Sequence, residues 1–426
     1  MRGPYLFVSG RWDNVVSVVD VAAALKAGPG GSPAAIVSRP RVTPDIDGGT
    51  GGAGTPASGQ PVNLVIAADR RLAYVVNHSG RATPEAAAAF QHGHPGLIAV
   101  LDVAKALDPA NSGTTNALVD LIETGTAGPV GLALTPDGKH LVVSSAEAAG
   151  LEDGGRQITL IDLAARRVVR QVVQALAGDG LESPPQPSAH PAPHETFGAF
   201  PNANGVAVSP LEGGVILAGN GGTDDVSAIS LARALEGDPG AEVARVPVQT
   251  GPFGLAVSPD GRLCAVANRE SARTGVEGNT ISFIDVARAA AGDDRAERAR
   301  IRVGTDRADE ATRPFAVAFT RGGDKVVATC FRSNTVSLVD VDKALAGAPA
   351  EQLRAVFTAP DGGPGRPRGL AMLPDGEHMA IIGGAKGAPR SSLVWIVDLK
   401  TLSPRACVTG IGNESYLMDV LAEPPG

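Results

Sequence analysis

Five of the seven histidines in this chain of 426 residues have the residue types and spacing of metal ligands. His92 and His94 form a His-x-His pair, and His190 and His194 lie in one proline-rich segment. Imidazole nitrogens bind Zn, Cu and Fe, and a carboxylate such as that of Glu195 can complete the coordination shell. The residue types therefore predict a site for one transition metal: Zn, Cu or Fe. Solvated or structural histidines are the alternative, because neither spacing matches a named zinc motif. The predicted ligands are His78, His92, His94, His190 and His194.

A second group of polar residues lies where short apolar runs begin or end. It consists of asparagines, arginines and a glutamate, with a few aromatic residues between them. Amide and guanidinium groups suit an oxygen-rich or anionic small-molecule ligand. Turn capping by the asparagines and solvation of the arginines are the alternatives. The predicted ligand-binding residues are Asn63, Asn204, Arg332, Asn413 and Glu414.

The elements that position these candidate residues are predicted by an internal sequence repeat. A phrase of the form Pro-x-Gly-Leu-Ala-x-x-Pro-Asp-Gly begins at Pro129, Pro252 and Pro367, and weaker copies begin at Pro61, Ala203 and Pro314. Each copy is followed by further short runs rich in Val and Ile, and Asp-Gly between runs is a strong hairpin signal. Each unit therefore reads as a four-stranded antiparallel meander, whose strands we number first to fourth.

The two ends of the chain complete one further unit. Residues 5–9, 15–20 and 35–38 match a second, third and fourth strand, and the missing first strand is found at 415–421. Closure by the C-terminal strand would remove unpaired sheet edges. The sequence thus predicts an all-β fold, a seven-bladed β-propeller that forms a single domain over 1–426. The predicted blades are 5–42 with 414–422, 61–124, 129–175, 202–249, 252–304, 313–358 and 367–410.

The best repeat copy resembles the YVTN/lactonase-like β-propeller superfamily. It runs from Pro252 to Asn268 and continues as Asn279-Thr280-Ile281-Ser282, and a second good copy begins at Asn334. The resemblance covers nearly the whole chain and implies the propeller fold. It leaves function open among lactone hydrolases, redox subunits, metal enzymes and binding scaffolds. In lactone-hydrolysing relatives, Arg, His and Glu polarise the ester carbonyl and activate water. The residues that supply these types here are His194, Glu195, Arg269 and Arg368.

Antiparallel strand order sorts the loops by face. Loops from a second to a third strand, and loops that enter the next blade, must lie at one end of the blades, which we call the top. The connections at the other end are tight turns or contain helical fragments such as 103–107 and 231–235. The long loops all belong to the top, where binding and catalysis usually occur. These loops are 42–60, 78–96, 146–156, 174–201, 269–278, 304–313, 359–366 and 385–391.

Composition excludes several classes of protein. A net charge of −8 and 4% aromatic residues argue against nucleic-acid binding. No apolar run approaches the roughly 20 residues of a membrane span, and no signal peptide is visible, which favours the cytoplasm, or the periplasm if a leader has been removed. The three cysteines are expected to be buried rather than disulfide-bonded. The sequence contains neither the Gly-x-Ser-x-Gly motif of serine hydrolases nor the Gly-Lys-Ser/Thr motif of phosphate-binding loops.

Together these observations favour an enzyme that acts on a small oxygenated or anionic metabolite at the top face. The expected reaction is lactonase-like or metal-assisted hydrolysis. A non-catalytic propeller that binds a ligand or a protein partner is the alternative.

Overall fold

The chain folds into a β-propeller of four-stranded antiparallel blades. The computed structural model describes residues 3–44, 59–79, 96–126, 128–146, 155–175, 201–272, 274–385 and 390–425. These described residues form seven four-stranded sheets, so the predicted seven-bladed all-β fold is confirmed. The chain divides into two compact units, 1–88 with 93–125 and 355–426, and 126–354 with 89–92. The prediction of a single domain stays a prediction.

The first unit contains blades one, two and seven. Blade one consists of β28 (Met418–Leu421), β1 (Tyr5–Gly10), β2 (Val15–Asp20) and β3 (Ile36–Ser38). Blade two consists of β4 (Gly59–Ile66), β5 (Leu72–Ser79), β6 (Leu97–Asp102) and β7 (Leu118–Glu123). Blade seven consists of β24 (Leu370–Met372), β25 (His378–Gly384), β26 (Ser392–Asp398) and β27 (Pro404–Thr409). Its helices are α1 (Val21–Ala27), α2 (Val103–Ala106) and a 3₁₀ turn (Pro109–Asn111).

The second unit contains blades three to six. Blade three consists of β8 (Pro129–Leu134), β9 (His140–Ser145), β10 (Gln157–Asp162) and β11 (Arg167–Val173). Blade four consists of β12 (Ala203–Ser209), β13 (Val215–Asn220), β14 (Asp225–Ser230) and β15 (Glu242–Pro247). Blade five consists of β16 (Pro252–Val257), β17 (Leu263–Asn268), β18 (Thr280–Asp285) and β19 (Glu297–Arg302). Blade six consists of β20 (Pro314–Phe319), β21 (Lys325–Cys330), β22 (Thr335–Asp340) and β23 (Glu351–Val356). Its helices are α3 (Leu231–Glu236), α4 (Val286–Ala290), α5 (Val341–Leu345) and a 3₁₀ turn (Leu211–Gly213).

The C-terminal strand completes the first blade, as the sequence predicts. β28 pairs antiparallel with β1, with Tyr5 opposite Leu421 and Val8 opposite Met418. The Ser9 amide extends this pairing by donating to the Leu417 carbonyl at 3.2 Å. The two ends of the chain are therefore held in one sheet.

In the blades where a helix follows the third strand, the last residue of that strand caps the helix. The Asp20 carboxylate accepts from the Ala23 amide at 2.9 Å, and that of Asp285 accepts from the Arg288 amide at 3.1 Å. Capping satisfies amides that a short helix leaves without an internal partner. The helical fragments expected after the third strands of blades two and four are present as α2 and α3.

The core of each unit consists of aliphatic and aromatic side chains packed between neighbouring blades. Leu6 packs with Ile396 in the first unit, and Phe283 with Phe319 in the second. Cys264, Cys330 and Cys407 are buried with free thiols, and burial raises the pKa of Cys264 and of Cys330 to about 12. None of the helices that the structure describes has the length and apolar character needed to cross a bilayer.

Candidate functional site

The carboxylate of Glu414 lies at the centre of a polar and aromatic cluster in the first unit. It accepts hydrogen bonds from the Trp12 indole nitrogen at 2.8 Å and from the Tyr416 hydroxyl at 2.9 Å. The Arg11 guanidinium lies 3.8 Å from the carboxylate and over the Trp12 ring, 4.8 Å from its centroid. Gln60 accepts from Arg11 Nε at 3.2 Å. We call these five residues the Glu414 cluster.

The ends of two strands bring this cluster together. Arg11 and Trp12 directly follow β1, whereas Glu414 lies just before the strand that pairs with β1. The carboxylate of Asp13 accepts from the Asn413 amide at 2.8 Å and ties the two segments to each other. Burial raises the pKa of Asp13, and this hydrogen bond opposes the effect. Asp13 is thus a positioning residue for Glu414.

Arg368 lies fully buried in the same unit. Its guanidinium donates to the Gly383 carbonyl at 3.0 Å and to the Ser392 hydroxyl at 3.3 Å. Burial lowers the pKa of Arg368 to about 10, while Tyr416 and Glu414 act in the opposite direction. The contacts are those of a residue that holds backbone in place. The predicted catalytic role of Arg368 stays a prediction.

The second unit carries a cluster of arginines on aromatic rings. The Arg269 guanidinium lies over two rings that touch each other, 4.7 Å from the centroid of Phe253 and 5.2 Å from that of Phe315. The Arg313 guanidinium lies 5.6 Å from the Phe331 centroid. Stacking on aromatic faces holds a guanidinium in a fixed orientation. We call this group, with the carboxylates described next, the arginine cluster.

Two glutamates join the arginines of this cluster. Arg313 forms ion pairs with Glu270 and, at 3.1 Å, with Glu277. Glu277 also pairs with Arg332 at 2.8 Å, and Arg332 keeps 60% of its side chain exposed. Arg269 lies 3.8 Å from Glu270. Arg332 is therefore the cation of this cluster that is most accessible to a ligand from solvent.

Asp224 positions the loop that carries Arg269 and Glu270. Its carboxylate accepts from the Gly251 amide at 2.6 Å and from the Ser271 hydroxyl at 3.3 Å. Gly251 is required here, because a Cβ atom would lie 1.7 Å from the Glu270 carbonyl oxygen. The start of β16 and the loop after β17 are thus held together by one buried carboxylate.

The remaining predicted ligand residues lie at the starts of first strands. Asn63 in β4 has its side-chain oxygen on the Leu64 amide at 2.8 Å. Asn204 in β12 donates to the Asn202 carbonyl at 3.2 Å. Asn413 is buried beside Asp13. These contacts stabilise strand starts, and the predicted binding roles stay predictions.

Most of the predicted metal ligands fall on residues that the structure leaves undescribed. His92, His94, His190 and His194 lie outside the described residues, and so does Glu195. His78 is described, half-buried in β5. Within the described ranges no group of three or more His, Cys, Asp and Glu could hold a metal ion. The metal site stays a prediction.

Sequence reasoning missed several residues that organise the two clusters. Gln60 and Glu277 were not predicted as site residues because they lie in predicted long loops without the repeat phrase. Asp224 was missed because it lies in the short connection between β13 and β14. Tyr416 belongs to the predicted first strand of blade one, and its position two residues after Glu414 is the signal that it shares the site.

Comparison with known proteins identifies structural neighbours only. No protein-family model matches the chain, and no curated protein matches it. The periplasmic gluconolactonase PpgL of Pseudomonas aeruginosa superposes with a TM-score of 0.65 at 16% identity, over 99% of this chain and 100% of the other. Candidate 6-phosphogluconolactonases of Bacteroides fragilis and Bacteroides uniformis give TM-scores of 0.61 and 0.62 at 14% and 12% identity. They match 99% of this chain and 98% and 100% of their own lengths.

At identities this low, structural similarity establishes the fold, and the chemistry has to be inferred from the residues of the site. The resemblance carried by the repeat is confirmed at that level. The chain has a seven-bladed β-propeller fold similar to the structures of these lactonases and candidate lactonases.

Proposed function

We propose that this protein is a lactonase-like hydrolase that opens the lactone of a small, hydroxylated and anionic metabolite. The observation that carries the proposal is the Glu414 cluster, where a carboxylate, a guanidinium and a phenol meet beside an aromatic ring. A hydroxylated ring can stack on Trp12 while its oxygens meet these polar groups. The named activities of the structural neighbours agree with this chemistry.

In the proposed reaction Glu414 acts as the general base. It removes a proton from a water molecule that attacks the lactone carbonyl carbon. Arg11, 3.8 Å from that carboxylate, stabilises the negative charge that develops on the carbonyl oxygen. The bond between the carbonyl carbon and the ring oxygen then breaks, and the proton taken from water passes to the leaving oxygen. The product is the open hydroxy acid, and no external oxidant or reductant is needed.

The hydrogen bonds of Trp12 and Tyr416 have a separate role in this proposal. They fix the carboxylate in one orientation before substrate binds. Preorganisation of this kind lowers the barrier because the groups need not reorient during the reaction.

Substitution of the proposed base tests this function. We expect Glu414→Gln to lower kcat for glucono-1,5-lactone about 100-fold or more, since the amide cannot accept the proton from water. Glu423→Gln is the matched control, because Glu423 is exposed near the same C-terminus and pairs only with Arg70 among the contacts observed. Both variants should keep the wild-type circular dichroism spectrum. Full activity of the folded Glu414→Gln protein would refute the assignment.

A non-catalytic binding role is the second candidate, and the arginine cluster favours it. Both of its carboxylates, Glu270 and Glu277, are engaged by arginines. Arg269 and Arg332 could hold an anionic ligand through guanidinium hydrogen bonds without any chemistry. Tight binding of gluconate without lactone opening would support this role and contradict the hydrolase.

Metal assistance is a further part of our proposal. We propose that His78 and the four predicted histidines outside the described residues bind one Zn, Cu or Fe ion, which would polarise a substrate oxygen. Elemental analysis of the purified protein should find one metal per chain, lost in a His92→Ala/His94→Ala double variant. His378→Ala is the control, because His378 is the first residue of β25 and is not among the predicted ligands. An equal metal content in all three proteins would contradict the proposal.

A further inference from the structure

A cavity of about 270 Å³ lies in the first unit, beside the strands of blade seven. Its walls come from residues within 359–364, from both ends of the loop that joins β25 to β26, and from the end of β27. Pockets for drug-sized molecules measure roughly 300–1,000 Å³, so a ligand of this cavity is small. None of the described residues that line it belongs to the Glu414 cluster. We call this cavity the blade-seven pocket.

A glycine brings Arg390 to the wall of this pocket. Gly384 has a φ of 92°, and a Cβ atom there would lie 2.4 Å from the Ser391 carbonyl oxygen. Glycine therefore allows the two ends of the loop between β25 and β26 to approach each other. The Ser391 hydroxyl donates to the Ala385 carbonyl at 3.0 Å and holds them together. Arg390, the residue before Ser391, lines the pocket and is exposed to solvent.

A tight turn places a carboxylate in the same pocket. Asp361 accepts from the Gly363 amide at 2.9 Å through Oδ1, and the Ala359 amide donates to the Gly363 carbonyl at 2.9 Å. Asp361 is exposed and lines the pocket. Among the described residues that line it, Asp361 and Arg390 are the two with ionisable side chains. A ligand in this pocket therefore meets one negative and one positive charge.

Two further charges near the pocket oppose each other. Arg39 donates from Nη2 to the carbonyl of Gly410, which lines the pocket, at 2.6 Å. Burial raises the pKa of Asp13 and lowers that of Arg39, and the charge of Arg390 lowers both. Arg390 is therefore within electrostatic range of a carboxylate and of a guanidinium, whose effects on a ligand have opposite signs. The charges that select the ligand are those of Arg390 and Asp361.

Apolar side chains form much of the remaining wall. Pro360, Pro364 and Leu393 line the pocket, and Leu393 is 4% exposed. Pro360 packs closely against Gly31, where a Cβ atom would lie 3.0 Å from the proline ring. The pocket thus combines an apolar surface with one charge of each sign. A free α-amino acid with an aliphatic side chain carries the complementary groups on adjacent atoms.

We propose that the blade-seven pocket binds a free α-amino acid with a small apolar side chain. Arg390 pairs with its carboxylate, since a guanidinium suits that geometry, and Asp361 pairs with its ammonium group. The aliphatic side chain lies against Pro360, Pro364 and Leu393. The proposal goes beyond lactone opening and does not depend on it, because the pocket and the Glu414 cluster share none of their described residues.

Isothermal titration calorimetry with L-leucine tests this site. We expect saturable binding by the unaltered protein. Two analogues each lack one charged group: 4-methylpentanoate has no ammonium, and 3-methylbutylamine has no carboxylate. Each should bind about tenfold or more weakly, because a hydrogen bond to a charged side chain is lost. Absence of saturable L-leucine binding, or equal affinity for either analogue, would overturn the proposal.

Substitution of the two charged residues locates the binding. Arg390→Gln and Asp361→Asn should each bind L-leucine about tenfold or more weakly. Asparagine at position 361 can still accept from the Gly363 amide, so the turn is retained. Arg390 has a φ of 53°, and Arg390→Asn, which tolerates this backbone, should show the same loss if the glutamine variant fails to fold.

Two residues between β4 and β5 provide matched controls. Asp69 accepts from the Arg71 amide at 3.0 Å in a similar turn, and Arg70 has a φ of 62°. Asp69→Asn and Arg70→Gln should bind L-leucine like the wild type. Wild-type affinity in the folded Arg390 and Asp361 variants, or an equal loss in these controls, would show that the pocket is not the binding site.

Discussion

In two of the repeat turns the aspartate carboxylate accepts a hydrogen bond from a hydroxyl two residues earlier. The Thr135 hydroxyl donates to the Asp137 carboxylate at 2.6 Å, and the Ser258 hydroxyl donates to that of Asp260 at the same distance. These hydrogen bonds are the largest cause of the lowered pKa of both carboxyls. The Asp-Gly pair predicted the turn from sequence, but the hydroxyl contact depends on side-chain orientation and emerges only from the structure.

The Thr135→Val variant tests this contact. We expect the pKa of Asp137 to rise toward its ordinary value, because the largest stabilising hydrogen bond to the carboxylate is removed. In the natural protein the folded-state pKa is the lower one, so the contact stabilises the fold above about pH 3.9. That stabilisation is lost as pH falls through the folded-state pKa. Carboxyl NMR titration measures the shift, with Asp260 as an internal reference. An unchanged Asp137 pKa would contradict the assignment.

At the scale of elements, the repeat predicted the strands because each blade reuses one phrase. It also predicted the C-terminal strand, since three strands at the N-terminus lacked a first partner. Side-chain direction could not be predicted in the same way. Arg368 was predicted as a catalytic residue, and the contact of its buried guanidinium with the Gly383 carbonyl is visible only in the structure. The ion pairs of Glu277 could not be predicted, because its long loop has no repeat to set its position.

Deletion of the C-terminal strand tests the closure of blade one. Removing residues from Asn413 onward leaves β1 without its partner and removes the buried side chains of Met418 and Leu421. Each such side chain contributes about 1.5–3 kcal/mol, so we expect insoluble protein or a melting temperature lower by roughly 5 °C or more. A chain that ends at Ala422 is the control and should melt like the full chain. Equal melting of both truncated proteins would show that β28 does not stabilise the blade.

At the scale of the whole molecule, the sequence predicted the fold, but for the function it left two classes open, an enzyme and a binding protein. The repeat motif occurs several times along the chain, whereas the residues of a functional site occur once. The Glu414 cluster joins residues near the two ends of the sequence, and no local pattern connects Trp12 with Glu414. The structural neighbours establish the propeller, and propellers of one architecture serve several chemistries.

The rate of lactone opening by the natural protein is the measurement that decides whether it is a hydrolase. Glucono-1,5-lactone also opens without an enzyme, so the acid released is titrated at constant pH with and without protein. We predict a rate above the spontaneous one that is proportional to protein concentration, saturates with substrate, and is lost in Glu414→Gln. A rate equal to the spontaneous one at every protein concentration would contradict the account.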